Sequence, residues 1–301
     1  MTSDYSFRSG SPRDTYGSGW PTSSSKSHPI YYDEARQILY PSNPIRAITP
    51  SYLIKAREEP ITMITPQKLL VILDLNGTLF YRARRNRAVT SRPYLTQFLD
   101  FLFNHCRVMV WSSARPHSVE NMLSSGFGAR VSKLDRIWNR EHFQLPENDY
   151  IRNVLTIKDL EFVWDDIARD KSDTVHASGG GNSNEESIEF DQTNTILIDD
   201  STAKIQLQPY NGVALRDFDE ELAKVGTDNE LLKVKKYLEK LIYQANVSAY
   251  MRLHPFSSRT PLSPDPARGP VEAETTRRAE DELADELNDL TRHLERNSMA
   301  V

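Results

Sequence analysis

Residues 69–79 read LLVILDLNGTL, and the fold turns on how that stretch is read. Five apolar residues, 69–73, run without alternation into Asp74. A short unbroken apolar run bounded by turn residues suits a strand buried on both faces, the kind at the centre of a parallel sheet. Such a strand has no room for a carboxylate along its length. Asp74 therefore belongs at its carboxyl end, the sheet edge where open α/β folds hold their ligands. Asn76-Gly77 between apolar residues is also the strongest short hairpin signal, and a type I′ turn between antiparallel strands is the competing reading. That turn leaves Asp74 unexplained. It also leaves unexplained the pair Asp199-Asp200, which ends a second apolar run, TILI, at residues 195–198. A strand-end carboxylate can act as a nucleophile on phosphorus and carry the phosphoryl group as an aspartyl-phosphate. Two adjacent carboxylates repel each other, a divalent cation relieves the repulsion, and oxygen donors suit Mg²⁺.

Around these two runs the chain divides by composition. Residues 1–66 are rich in Ser, Pro, Tyr, Gly and Thr without a sustained period and read as a mostly disordered segment. Residues 44–66 are less random. Ile45, Ile48, Tyr52, Leu53 and Ile54 can pack on the following domain, with a short helix over 50–59. The folded domain is expected over 67–250, with a flexible insertion at 171–194 that carries Gly-Gly-Gly, Ser, Asn and paired Glu. A Pro- and Ser-rich linker spans 251–270, and a charged, acidic helix is predicted over 271–297. Its Leu283, Leu287, Leu290 and Leu294 alternate spacings of four and three, a short seam for a partner or a second copy, or else one face of a solvated single helix.

Composition narrows the function classes. The hydrophobic fraction of 38% is low for a wholly globular chain of 301 residues, in keeping with unfolded flanks. The net charge of −5 disfavours direct nucleic-acid binding. Cys106 is the single cysteine, so no intrachain disulfide can form. Set among Phe103, Val108 and Val110, it reads as a core filler rather than a nucleophile. No apolar run reaches the length of a membrane span, and the N-terminus lacks the core of a signal peptide.

Inside the domain the spacing predicts alternating strands and helices. After the first strand, Arg82, Arg84, Arg85 and Arg87 crowd one loop. They form either a docking strip for a phosphorylated or acidic partner or an ordinary solvated charge run. Pro93 precedes a helix carrying Leu95, Phe98, Leu99, Leu102 and Phe103. Residues 107–111, RVMVW, form a second core strand that ends in Ser112, and a helix starts at Pro116 and stops at Gly126. Ser at such a strand end, with free helix N–H groups behind it, is a candidate phosphate ligand, although Ser there is commonly just a cap. Short strands are predicted at 134–138 and 154–157. Lys158 follows the latter, before a helix through Trp164. A fixed cation there would offset the repulsion between a phosphate and a carboxylate cluster. Residues 209–215 give a turn and an edge strand, and 229–243 an amphipathic helix with Leu231, Leu238, Leu241 and Ile242 inward.

Taken in order, these residues form a recognisable set: Asp74-Leu75-Asn76-Gly77-Thr78-Leu79, Arg92-Pro93 with Phe98-Leu99, Trp111-Ser112-Ser113-Ala114, Trp138-Asn139-Arg140-Glu141, Lys158-Asp159-Leu160 and Ile198-Asp199-Asp200-Ser201. Over about residues 67–250 the chain resembles the RNA polymerase II C-terminal-domain phosphatases and nuclear LIM interactor-interacting (NLI-interacting) factors of the haloacid dehalogenase superfamily. A phosphatase-like subunit of the mitochondrial inner-membrane presequence translocase shares this domain. The resemblance implies an α/β, Rossmann-like fold with a central, mostly parallel sheet and helices on both faces. It also implies Mg²⁺ as cofactor, and a phosphoserine or phosphothreonine protein segment as substrate, in the nucleus or cytoplasm.

Carried over by position, Asp74 is the nucleophile and a metal ligand, and Ser112 and Lys158 hold the phosphoryl oxygens. Asp200 ligates the metal, Asp199 braces Lys158 or the metal shell, and Thr78 supports the loop. The family's first motif is Asp-x-Asp-Gly-Thr, and here its second Asp is Asn76. The Asn76 backbone carbonyl keeps its place as a metal ligand, but an amide cannot serve as general acid and base. Losing a positioned proton-transfer group costs about 10²–10⁴-fold in rate. Two readings follow: a slowed phosphoprotein phosphatase, or a phosphatase-shaped binding subunit of a translocase or transcription-linked assembly.

Overall fold

The computed structural model describes residues 32–33, 38–177 and 188–258, with side chains over 39–170 and 188–258. The strands are β1 (Tyr32–Asp33), β2 (Ile38–Leu39), β3 (Leu69–Leu73), β4 (Phe80–Arg82), β5 (Val89–Ser91), β6 (Cys106–Trp111), β7 (Arg136–Trp138), β8 (Thr195–Asp199) and β9 (Gly212–Ala214). The helices are α1 (Pro50–Ala56), α2 (Leu95–His105), α3 (Pro116–Gly126), α4 (Glu147–Tyr150), α5 (Leu160–Ala177), α6 (Glu220–Val225), α7 (Glu230–Leu241) and α8 (Val247–Leu253).

Each of the five residues of β3 is 0% exposed, as an unbroken apolar run demands of the middle strand. It pairs in parallel with β6 on one side and β8 on the other. The five-stranded sheet runs β7-β6-β3-β8-β9, parallel throughout. The chain moves outward from β3 through β6 and β7, then returns to place β8 and β9 on the far side. The order therefore reverses beside β3, and a crevice opens there at the carboxyl ends of the strands.

Alternate residues of β3 feed two cores. Leu69, Val71 and Leu73 pack with Leu99 and Leu102 of α2, Leu123 of α3 and Leu231 and Leu238 of α7. Leu70 and Ile72 pack with Met109 and Trp111 of β6 and with Leu160, Val163 and Ile167 of α5. Each such side chain, fully buried, contributes about 1.5–3 kcal/mol, so the central strand is held through both of its faces.

The structure departs from the sequence expectations at several boundaries. Asn76-Gly77 is not a type I′ hairpin. That turn needs positive φ at both central residues, and Gly77 has φ +85° while Asn76 does not lie in that region. The loop is closed instead by the Leu79 and Phe80 N–H groups donating to the Leu75 carbonyl at 2.8 and 2.9 Å. Residues ahead of 67 pack on the domain, as the sequence allowed for 44–66. Tyr52 and Ala56 of α1 are buried, the Tyr52 hydroxyl accepts from the Tyr210 N–H (2.8 Å), and the Leu155 N–H donates to the Leu39 carbonyl (2.8 Å). Ile45 and Ile54, expected to pack, are exposed.

Residues 154–157 are not a strand of the sheet but a piece whose one ladder contact is a bridge between Leu39 and Val154. The helix expected to end near Trp164 continues as α5 to Ala177, so the expected insertion at 171–194 is shorter. Phe190, Gln192 and Asn194 within it are buried, Phe190 against the α5 core and Asn194 through hydrogen bonds to the chain around it. α3 ends at Gly126 as the sequence implies, and the position also requires space, since a Cβ there would stand 2.3 Å from Phe80 Cε1. The domain also runs past residue 250: Met251 is buried in α8, Phe256 packs on Tyr237, and the Ser258 hydroxyl donates to Glu230 Oε2 (2.7 Å). The disorder expected over residues 1–31, residues 178–187 of the insertion, residues 259–270 of the linker, the acidic helix at 271–297 and the Leu283, Leu287, Leu290, Leu294 seam lie outside the described residues. Among the described residues no helix is long and apolar enough to cross a membrane.

Candidate active site

Asp74 follows the last residue of β3 and is 1% exposed. Its backbone N–H donates to the Ile198 carbonyl of β8 (2.9 Å), which stitches the two strand ends together. On β8, Asp199 is fully buried, and Asp200 lies one residue beyond with a fifth of its side chain exposed. One oxygen from each of Asp74, Asp199 and Asp200 lies within 4.8 Å of the others. Residues 125 apart in sequence thus meet because β3 and β8 are neighbours in register.

Three buried carboxylates repel unless cations stand among them, and two lysines do. Lys158 Nζ donates to Asp74 Oδ1 (2.9 Å) and to Asp199 Oδ2 (2.5 Å), with its side chain wholly enclosed. Lys204 Nζ donates to Asp199 Oδ1 and Asp200 Oδ1, both at 3.0 Å, and stands 3.9 Å from Asp74 Oδ2. The Thr78 hydroxyl lies 3.5 Å from both Asp74 Oδ2 and Asp200 Oδ1. Asp74 therefore has one oxygen firmly held and one with long contacts only.

Charge partners split the neighbouring acids. Burial works to raise Asp199, but Lys158 and Lys204 outweigh it and hold the carboxyl down at about 2. Asp200 goes the other way. Burial, with the nearby charges of Asp199 and Asp74, pushes it up to about 7 although Lys204 pulls against them. An environment that drives adjacent carboxyls apart in this way is characteristic of functional sites.

Gly77 holds the loop against this cluster. Its φ of +85° is a backbone state that L side chains rarely adopt, and a Cβ would lie 2.7 Å from Asp217 Oδ1 and 2.9 Å from Asp200 Oδ2. The Phe218 N–H donates to the Gly77 carbonyl (2.6 Å), fixing the loop to the segment after β9. Arg92, also buried, braces both from behind: it forks onto Asp228 and donates to the Thr78 and Arg216 carbonyls at 2.9 Å.

The structure brings Asp74, Lys158, Asp199, Asp200 and Thr78 into one cluster. Ser112 stands at the carboxyl end of β6, one strand from Asp74 and one residue further out. It is buried, and its hydroxyl accepts from the Ala114 N–H (3.3 Å), as a local cap does. The Asn76 side chain is exposed. It lines a cleft of about 980 Å³ with Tyr81, Arg82, Arg84, Arg85, Asp217 and Glu220. Arg84, Arg85 and Arg87 are exposed at the tip of the β4–β5 hairpin, but Arg82 is not free in a loop. It is a strand residue donating to Ser118 Oγ (2.7 Å). The clustered oxygens of Asp74, Asp199 and Asp200 are donors that suit a divalent cation.

Sequence reasoning missed Lys204, Asp217 and the Arg92–Asp228 pair. Lys204 had a signal, a spacing of four from Asp200. Asp217 had none, since it sits in a run of ordinary surface charge and reaches the site only because β9 follows β8 across the sheet.

The family model described as NLI interacting factor-like phosphatase matches residues 69–248. An uncharacterized FCP1 homology domain-containing protein of Schizosaccharomyces pombe is 36% identical over 204 residues, covering 64% of this chain and 79% of that protein. Ubiquitin-like domain-containing CTD phosphatase 1 of Drosophila melanogaster is 25% identical over 63% of this chain, and that of Homo sapiens 23% identical over 62%. The chain spans 55% of the length of each of those two relatives. Among solved structures, Fcp1, an essential RNA polymerase II CTD phosphatase, is similar at a TM-score of 0.43 and 13% identity, over 66% of this chain and 76% of that one. That likeness is too distant to bear on chemistry.

Proposed function

The chain belongs to the NLI interacting factor-like phosphatase family, and from that premise we propose that it hydrolyses phosphoserine or phosphothreonine esters in proteins, with Mg²⁺, through an aspartyl-phosphate on Asp74. The observation that carries this reading is the placement of Asp74: a buried carboxylate at the end of the central strand, with Oδ1 held by Lys158 and Oδ2 bonded only at long range. A nucleophile fixed in this way loses little freedom when it meets phosphorus.

In the first step an Asp74 oxygen forms a bond to phosphorus as the ester P–O bond breaks, and the serine or threonine oxygen leaves with its electron pair and takes a proton from solvent. In the second, water attacks phosphorus and gives up a proton to solvent, and Asp74 leaves as a carboxylate. Lys158 neutralises charge on Asp74 and on the phosphoryl oxygens, and Ser112 is the neighbouring hydroxyl donor to them. Asp199, held ionised by the two lysines, fixes Lys158. Bound to Asp74, Asp200 and the Asn76 carbonyl, Mg²⁺ would supply Lewis-acid neutralisation of the phosphoryl group.

Asn76 sets the rate. It stands where the family places its proton-transfer carboxyl, and its amide neither protonates the leaving oxygen nor takes a proton from water. Turnover on alkyl phosphates is therefore slow, by about 10²–10⁴-fold. Arg84 and Arg85, on the wall of the cleft that begins at Asn76, supply charge for a phosphorylated or acidic segment. A nuclear or cytoplasmic place of action accompanies this substrate class. The test is phosphate release from p-nitrophenyl phosphate, whose leaving group needs little protonation. Mg²⁺-dependent release by the wild type, absent in Asp74→Asn, is expected. A wild type no faster than Asp74→Asn overturns the proposal and leaves a binding subunit.

A further inference from the structure

We propose that Lys204 is a built-in counter-cation of the carboxylate cluster, its ammonium holding the place among Asp74, Asp199 and Asp200 that a divalent metal requires, so that Mg²⁺ enters only by expelling the Lys204 side chain. The inference rests on the metal-dependent reading above and adds a gate to it.

The geometry is that of an occupied cation site. Nζ contacts two of the three carboxylates at 3.0 Å and the third at 3.9 Å, and oxygens of all three lie within 4.8 Å of one another. Charge says the same. Three ionised carboxylates with Lys158 and Lys204 carry a formal −1, whereas adding a divalent ion with both lysines in place makes the site +1 in a mostly buried cluster. One ammonium has to leave, and the two are not equal candidates. The Lys158 side chain is 0% exposed and bridges Asp74 to Asp199, while that of Lys204 is 15% exposed, at the edge of the cluster. The Lys204 backbone does not have to follow, because its carbonyl is tied down by the Lys158 N–H at 2.8 Å. Only the four-carbon stem swings.

The consequence is a phosphatase site that is electrostatically complete without metal and binds Mg²⁺ weakly. Even at the dielectric of water, a monovalent and a divalent cation about 4 Å apart repel by enough to change an affinity about 30-fold. The experiment has two arms on the full chain. In the first, wild-type protein is acetylated with an N-hydroxysuccinimide ester with and without MgCl₂, and the rate at each lysine is read by peptide mass spectrometry. Lys204 labelling is expected to rise with Mg²⁺ while Lys158 stays protected. In the second, Mg²⁺ binding is measured by calorimetry for wild type and Lys204→Gln, and the variant is expected to bind about 30-fold more tightly.

Mg²⁺ that raises the wild-type melting temperature while Lys204 labelling stays flat overturns the gate and leaves the metal-dependent phosphatase intact. A folded Lys204→Gln that binds no more tightly than wild type does the same. Binding to neither protein removes the metal reading itself, and the gate with it. Should the variant not fold, the wild-type labelling decides alone.

Discussion

The Arg92–Asp228 pair gives the sharpest physical prediction, because nearly everything about it is fixed. Arg92 is 0% exposed in its side chain and Asp228 3%. Nε donates to Asp228 Oδ1 at 3.1 Å and Nη2 to Oδ2 at 2.8 Å, a two-pronged contact between two buried side chains. Nη1 and Nη2 also donate to the Thr78 and Arg216 carbonyls, and the guanidinium carbon lies 5.3 Å from the centre of the Phe218 ring. Arg92→Met keeps the stem and removes every donor. The Asp228 carboxylate is then left buried, with the Glu230 N–H (2.9 Å) as a remaining donor, and two carbonyls lose charged partners.

Breaking a buried pair by removing one member costs about 3–5 kcal/mol. For a domain of this size each kcal/mol moves the melting temperature by about 2–4 °C, so a fall of about 6–20 °C is expected. The assay is equilibrium urea unfolding at neutral pH, with thermal melting beside it. The control is Arg92→Met/Asp228→Leu. Removing both charges spares the cost of an orphaned carboxylate, so the double variant should be more stable than the single one. A single variant within about 1 kcal/mol of wild type, or a double variant no better than the single, refutes the reasoning.

Four further outcomes are expected. Asn76→Asp should raise the rate on a phosphoserine peptide by about 10²–10⁴-fold, measured as phosphate release; an unchanged rate would show that proton transfer at position 76 does not limit turnover. Gly77→Ala should cost at least about 1–2 kcal/mol of stability, since φ +85° and the Asp217 and Asp200 oxygens both oppose a methyl group, and a melting curve reads this directly. Metal-free protein should lose stability as pH rises from 4 through 7. Asp200 is pushed up to about 7 by burial and its acidic neighbours, so its protonated form stabilises the fold below its ordinary range and that contribution disappears as the carboxyl ionises; urea midpoints in chelator across that window should show the fall, and Asp200→Asn should flatten it. Burial pushes the Cys106 thiol up to about 12, so Ellman's reagent should react with native protein no faster than the protein unfolds.

Local sequence carried much of this protein. The unbroken apolar run of β3 implied a strand buried on both faces, and burying it on both sides requires helices on both sides. Asp74 and Asp199-Asp200 were legible because a carboxylate ending an apolar strand has few places to be except the sheet edge. Periodicity located α2, α3 and α7 to within a residue or two. It failed where stability comes from afar. Residues 44–66 showed a short helix and apolar residues able to pack, but not the partners that hold this region, Tyr210 for Tyr52 and, just upstream, Leu155 for Leu39. The stretch after α5 looked like a loop, yet Phe190 finds a core to fill.

What the sequence by itself determined is the parallel sheet, its central strand and the acids at its rim, because burial pattern and chain punctuation are local properties that any one segment displays. What only the tertiary structure decided is the state of those acids. Lys158 and Lys204 come from different segments; the sequence marked Lys158 as a candidate cation and set Lys204 four residues from Asp200, but showed neither one's carboxylate partners. They become counter-ions only once β3 and β8 lie side by side and bring three carboxylates into one enclosed space. Electrostatic energy depends on distance and on exclusion of water, and neither exists until the chain has closed on itself.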